Sequence, residues 1–344
     1  MKTNESTPTS YRHVAATLRR EWSAGVWHAN LRVPSHDELC RRFKTTRVTI
    51  QRAMDLLTEQ GFLITRAKTG RYLAPHAPHL HRYGLAFAGH PETEIHSWKW
   101  TQRMLALYLA AQRMGGISIY LDAFPHAPGW ARLRRDVEDQ ALAGLIFAYS
   151  PEGEILNTPL LKHVSIPFAS TGGIGARVTF RREDFFTITG KWLCARERIR
   201  TAVVATPMLS PEHIISDLTQ SGLRTDPAWV MAAHWDYPDW IRHTLPSILS
   251  AGAKRPNALV VMDDHLLKPV LQTLEQLGVA VPDDLTVVSM WNFPLPYTLK
   301  TKVQLIGYDA AEWLKACMAQ IDLTHKTGRN PPERLVPPRC MEDI

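Results

Sequence analysis

Four cysteines in 344 residues, Cys40, Cys194, Cys317 and Cys340, are too widely spaced for a disulfide framework or a paired-cysteine metal site. They predict reduced thiols. No apolar run approaches the ~20 residues needed to cross a bilayer. The opening MKTNESTPTSYRH lacks the apolar centre of a signal peptide, so a cytoplasmic protein with no membrane partner is expected. Catalytic signatures are missing too: there is no Gly-x-Ser-x-Gly elbow, Walker loop or His-Glu-x-x-His segment. Thr171-Gly172-Gly173-Ile174-Gly175 falls short of a dinucleotide-binding loop and reads as a turn. The histidines of LAPHAPHLHRY fit no common ligand spacing. No catalytic residue, metal or cofactor is therefore expected, and the chain is not read as an enzyme.

What is present is a sharply divided charge. The first 80 residues hold 13 Lys+Arg against 6 Asp+Glu, and the rest hold 27 of each, so the whole net charge of +7 lies at the N-terminus. A device for solubility would spread over the surface, whereas a phosphate-binding module concentrates cations. The length is too great for one ordinary domain and predicts two.

Tyr11, Val14, Ala15, Leu18 and Trp22 recur at the spacing of one helical stripe, with Arg12, Arg19 and Arg20 off it. A second helix begins at VPSHDEL, where Ser35 and Glu38 have capping-box spacing and Leu39 and Phe43 supply a buried face. After a break at Lys44-Thr45, a third helix is predicted from about Thr46 to Gln60. Its stripe of Ile50, Ala53, Met54 and Leu57 leaves Thr46, Arg47, Gln51 and Arg52 outward. Gly61 stops it. Two short strands, Phe62–Thr65 and Arg71–Leu73, flank a basic turn. Three helices and a basic hairpin make a winged helix-turn-helix, whose third helix enters the major groove. A protein-binding helical bundle with solvated arginines would share this periodicity.

The stretch RVPSHDELCRRFKTTRVTIQRAMDLLTEQGFLITRAKTGRYLA resembles the GntR-family winged helix, with its Pro-Ser, its Arg-x-Thr-hydrophobic segment and its glycine-bearing wing. The resemblance covers about residues 11–74 and implies binding to double-stranded DNA. Candidate contacts are Ser35, Thr46, Arg47, Thr49, Gln51 and Arg52, with Arg66, Lys68, Gly70 and Arg71 on the wing. Arg47 and Gly70 are retained from the family pattern. Asp37 and Gln51 stand where it usually or often has Arg, and Lys68 where it has the first wing glycine, so the operator sequence does not transfer.

Residues 75–82 read as a mobile Pro- and His-rich linker. From Tyr83 onward strands and helices alternate: YGLAFAG, a helix near Trp98–Met114, ISIYLDA, a helix near Trp130–Leu142, AGLIFAY, SIPFAST and a helix over Asp184–Arg198. TAVVAT, a helix over Glu212–Ser221, a strand near Trp229–His234, a helix over Trp240–Ala251, ALVVMDD, a helix over His265–Leu277, LTVVSMW and a helix over Ala310–Ile321 follow. Near-continuous apolar strands between helices predict an α/β domain over residues 83–344, with two doubly wound parallel-sheet subdomains around a cleft.

The end of this region, above all LGVAVPDDLTVVS, resembles the LacI-type, periplasmic-binding-protein-like effector domain, clearly over about Pro256–Ile321. That resemblance implies a homodimer, an inverted-repeat operator and a small-molecule effector, commonly a sugar. Parallel sheets bind ligands beyond their C-terminal strand ends. His90, Asp122, Phe124, Tyr149, Trp235, Asp236, Asp264, Trp291 and Asn292 are the effector-site candidates there. Asp264 matches the family's Asn-Asp position. Trp291 replaces a ligand-clamping Asp, and Pro269 replaces a helix Gly and should kink that turn. The resulting expectation is a transcription regulator, by default a repressor, controlled by a sugar or related metabolite. A DNA-binding protein whose α/β domain only dimerises, and an α/β enzyme with an appended DNA-binding domain, are the alternatives.

Overall fold

A computed structural model describes residues 10–24, 28–90, 101–149, 166–170, 175–207, 209–234, 239–250 and 255–341. Two compact units emerge. Residues 1–93, 114–177 and 317–332 form the first, and 94–113, 178–316 and 333–344 the second.

The first unit opens with α1 (Tyr11–Ala24), α2 (His36–Phe43) and α3 (Arg47–Glu59), then β1 (Leu63–Arg66) and β2 (Gly70–Leu73), paired antiparallel with Leu63 opposite Leu73. The predicted stripes meet: Val14, Ala15 and Leu18 pack with Leu39, Ile50, Ala53, Met54 and Leu57, and Phe62, Leu63 and Leu73 close the cluster. Burying a Leu or Phe this completely contributes roughly 1.5–3 kcal/mol, so these few side chains dominate the stability of so small a module. Ser35 caps α2 through the predicted box, its hydroxyl accepting from the Glu38 amide while the Glu38 carboxylate accepts from the Ser35 amide. Lys44 then turns the chain in the left-handed region, and the Thr46 side chain caps α3.

The stretch expected to be a mobile linker is instead built in. Residues 78–81 form the short helix α4 (Pro78–His81), with Pro at its start. Ala77 and His79 are buried, and the His79 ring stacks on Phe62 at 5.7 Å. Polar-looking composition misled because imidazole and proline both offer flat apolar faces that the adjoining core can cover.

A six-stranded sheet follows, made of β3 (Tyr83–Ala86), β4 (Ile117–Tyr120), β5 (Gly144–Phe147), β6 (Phe168–Ser170), β7 (Ala176–Thr179) and β13 (Arg334–Leu335). Its order is β13-β7-β6-β5-β3-β4, and every pairing is parallel. Helix α6 (Pro128–Glu138) buries Trp130, Leu133 and Val137 against it, with α5 (Gln102–Arg113) preceding β4 in the chain. The expected helix start at Trp98 and the glycine turn at Thr171–Ile174 lie outside the described residues.

In the second unit α7 (Arg182–Cys194), α8 (Pro211–Gln220), α9 (Asp239–Ser250), α10 (Asp264–Gln276) and the first part of α11 (Ala310–Thr327) accompany another sheet. Its strands are β8 (Thr201–Ala205), β9 (Val230–Ala232), β10 (Ala258–Val261), β11 (Thr286–Phe293), β12 (Gln304–Asp309) and β14 (Arg339–Cys340), in the order β14-β12-β11-β10-β8-β9. Only β14 runs antiparallel among them. Strands β3 to β7 and β8 to β12 share one order, with the first strand of each set between the second and third. That order places a topological switch point at β3/β5 and at β8/β10. Two doubly wound sheets were expected and are present. Pro269 removes one amide donor yet α10 continues through it to Gln276.

Candidate DNA-binding and effector sites

The first two turns of α3 present an exposed polar surface. Thr46, Arg47, Gln51 and Arg52 are exposed. The Thr46 hydroxyl accepts from the Thr49 amide at 3.3 Å and lies 3.0 Å from the Thr49 hydroxyl, so both threonines shape the helix start. The nearest carboxylate to the Arg47 guanidinium is that of Asp37, at 4.0 Å, with both side chains more than 70 % exposed. Gln51 donates to Asp55 at 2.8 Å, and Arg71 from the wing pairs with the same carboxylate. Arg71, only 17 % exposed, therefore ties the wing to α3 rather than projecting over DNA backbone. Arg66 stacks on the Tyr72 ring at 4.6 Å and hydrogen-bonds Asn30, while Lys68 and Gly70 form the exposed wing tip.

Two residues beside this surface escaped the sequence reading. Val48 is 61 % exposed on the first turn of α3, where an apolar side chain can meet a thymine methyl. Arg32 bridges to Tyr72, and its guanidinium lies beside Gly70. Val48 carried a readable signal, a valine off the buried stripe; Arg32 had none, because it reaches the wing only through tertiary structure.

Lys68 occupies the left-handed region, φ 63°, which glycine adopts freely and lysine does not. Replacing Lys68 by Gly should stabilise the fold by roughly 1 kcal/mol in urea denaturation. It should also reduce the salt dependence of DNA binding by about one phosphate contact, because the cation is lost with the strain. A lowered urea midpoint would argue against strain at this position.

The effector-site candidates separate by unit. In the first, His90 follows β3, Asp122 and Phe124 follow β4, and Tyr149 follows β5, so His90 and Tyr149 flank the switch point. Asp122 holds φ 50°, and the Tyr149 hydroxyl donates to the Ala123 carbonyl at 2.7 Å; burial raises that phenol's pKa. In the second unit Asp264 opens α10 just beyond β10, at the other switch point. Its carboxylate, 4 % exposed, accepts from the Asn292 amide at 2.8 Å. Asp263 caps α10 and lies 3.0 Å from His265 Nδ1. Trp291 is buried, its indole N–H donating to the Leu295 carbonyl at 3.0 Å and its ring edge-on to Tyr297. It thus anchors the loop after β11. Trp235 and Asp236 lie outside the described residues.

Arg103, near the start of α5, is a further cation that sequence order could not place. Its guanidinium lies 4.8 Å over Phe180 and 5.5 Å over Trp313, and Phe180 packs 4.2 Å from Tyr308. These partners are 77 to 210 positions away in the chain.

Burial, with the neighbouring Asp263 charge, pushes Asp264 up to about 6, against the pull of the Asn292 hydrogen bond. His265 is lowered by burial but raised further by Asp263 and Asp264, for a net rise. A carboxyl whose folded value lies above its unfolded one binds its proton more tightly in the fold. Its contribution is full below pH ~4 and is lost as pH rises through about 6. Asp264→Asn should therefore gain stability over the parent as pH rises from 4, levelling off above pH 6 at about 3 kcal/mol. Paired thermal melts across that range measure it; a constant difference would contradict a protonated buried Asp264.

Residues 10–73 match the family model for bacterial regulatory proteins, gntR family, and residues 201–342 that for the periplasmic binding protein-like domain. The histidine utilization repressor of Klebsiella aerogenes is 34 % identical over 64 residues, 19 % of this chain and 27 % of that protein. The chain spans between 14 % and 37 % of the length of the curated relatives it matches. Among solved structures, a LacI family transcriptional regulator from Mycobacterium smegmatis aligns with TM-score 0.51 at 20 % identity, covering 76 % of this chain and 97 % of that one. One from Arthrobacter sp. FB24 in complex with lactose aligns with TM-score 0.55 at 14 % identity over 76 % and 97 %. The fold is that of these regulators. Among the described residues no helix is long and apolar enough to cross a membrane.

Proposed function

Because this chain joins a gntR-family domain to a periplasmic binding protein-like domain, we propose that it is a DNA-binding transcription regulator controlled by a small-molecule effector. The carrying observation is the first two turns of α3, which offer Arg47, Val48, Gln51 and Arg52 to solvent within the segment that holds all the net positive charge. A homodimer grips an inverted repeat, with one α3 in each major groove, and acts as a repressor. Each sheet offers effector candidates beyond its own C-terminal strand ends: His90 and Asp122 follow β3 and β4 in the first unit, and Asp264 and Asn292 stand beyond β10 and on β11 in the second. Carboxylates paired with amides suit a polyhydroxylated ligand, and the lactose bound to the Arthrobacter protein supports a sugar or related metabolite. Binding shifts operator affinity by a coupling of about 1–3 kcal/mol. No bond-making step is assigned to any residue.

Footprinting the purified protein on fragments of its own genome, at low and high salt, tests this reading. The expected result is a protected inverted repeat whose occupancy falls steeply with salt. Absence of protection at low salt, with and without a metabolite extract, would overturn it. A panel of sugars should then raise the melting temperature by linkage; a regulator that only dimerises would respond to none.

A further inference from the structure

The second unit contains a basic cavity of about 730 Å³ that the proposed regulation does not use. It lies beside the C-terminal end of α7, under the N-terminal ends of β11 and β12, with Trp192, Arg196, Arg198, Tyr297, Lys300 and Lys302 in its wall. Asp264 and Asn292 belong to the opposite end of the same sheet. Val287 lines the cavity and Asn292 stands five residues further along β11, ~16 Å at the rise of a strand.

Charge decides what this cavity takes. Among the described residues, four cations line it against one carboxylate, that of the exposed Asp283. Arg182, Arg242, Lys315 and Arg339 of the same unit each have a carboxylate within 4 Å. Among the described residues, no carboxylate lies within ion-pair distance of Arg196, Arg198, Lys300 or Lys302. The two guanidiniums are instead held in place by neutral groups. Arg196 stacks 3.8 Å from the Trp192 ring centroid and donates to the Trp192 carbonyl at 3.2 Å, and Arg198 donates to the Asp283 backbone carbonyl at 3.0 Å. Such contacts position a guanidinium while leaving its charge uncompensated. Like charges gathered without counter-charge repel one another, and an anion of two or more charges relieves that repulsion. Positioned guanidiniums match phosphate oxygens in pairs, and lysines add mobile point charges.

We infer that this cavity is a second ligand site, separate from the effector site, for a small phosphorylated metabolite carrying at least two negative charges. Its volume admits a bisphosphate of metabolite size. The site is independent of the DNA reading, since none of its residues belongs to the winged helix.

Calorimetric titration of the full chain with inorganic pyrophosphate and orthophosphate tests the inference. Saturable binding of one pyrophosphate per chain is expected, at least tenfold tighter than orthophosphate. The combined Arg198→Gln and Lys302→Gln variant should weaken it at least tenfold, with DNA binding of the unliganded protein unchanged. Should that variant fold poorly, Lys302→Gln alone changes one exposed side chain, and a loss of threefold or more is expected. Arg47→Ala should bind pyrophosphate as the parent does. The inference is overturned if millimolar pyrophosphate gives neither heat nor a thermal shift, if the cavity variants bind as the parent does, or if Arg47→Ala abolishes binding, which would place the anion on the DNA-binding surface.

Discussion

Replacing Arg47 by Ala is expected to weaken binding to the protected genomic fragment by roughly 10- to 100-fold and to leave the unfolding midpoint unchanged. The stability half follows from exposure. The side chain is three-quarters in water, and its contact with Asp37 at 4.0 Å is an exposed pair of a kind worth between nothing and about 1 kcal/mol. The affinity half follows from placement. Arg47 is the first residue of α3, at the helix end whose partial positive charge also favours phosphate. One bidentate contact to a guanine edge is worth about 1–3 kcal/mol, which sets the range. Asp37 sharpens the test because it competes with DNA for the same guanidinium, and its charge repels phosphate. Asp37→Asn should therefore raise affinity, in the direction opposite to Arg47→Ala. If both substitutions leave affinity unchanged, the helix does not read DNA through this turn.

Those residues were legible because their determinants are local. The stripes of α1 and α3, the capping box at Ser35 and Glu38, and the outward set beginning at Thr46 depend on spacings of three and four, which a chain displays without folding. The apolar strands β3, β5, β8 and β10 were equally plain, being buried on both faces. What escaped depends on distant neighbours. Strand β12 was missed because its Gly307 looks like a strand breaker. In the sheet a Cβ at Gly307 would come within 1.9 Å of the Trp291 carbonyl oxygen, so close strand packing demands the glycine. The short β7 showed no pattern of its own. Arg71 read as a DNA contact because nothing in RAKTGRY announces Asp55 on the neighbouring helix. Trp291 read as an effector-site candidate because a strand-end tryptophan gives no hint that its indole is bonded to Leu295. The switch points were recoverable in kind but not in place, since strand order is not written in any one strand.

Arg19 extends that lesson to energetics, and Asp139→Ala should be the more damaging way to break its ion pair. The sequence places Arg19 off the apolar stripe of α1, among cations expected in solvent. It is nevertheless 4 % exposed, donating to the Gln60 side chain at 2.6 Å and pairing with Asp139 at the end of α6, with its guanidinium 5.7 Å over Phe62. Burial lowers its pKa and Asp139 opposes that. The partners differ in access to water, since Asp139 is 39 % exposed. Removing the carboxylate strands a buried cation with one neutral acceptor, a loss of about 3 kcal/mol at the low end for buried pairs because Asp139 is partly hydrated. Removing the cation by Arg19→Met keeps an apolar stem against Phe62 and frees a carboxylate that water can reach, a loss of about 1 kcal/mol or less. The double variant should then resemble Arg19→Met rather than the sum, because the stranded charge is gone. Urea unfolding of the three variants measures this order directly. Equal losses in both single variants would mean that water reaches Arg19, and the contact of α1 with α6 would then not hold the winged helix against the first sheet. If the predicted order holds, Asp139→Ala should also loosen residues 75–82 to protease, because Phe62 joins the Arg19 cluster to His79 in that segment.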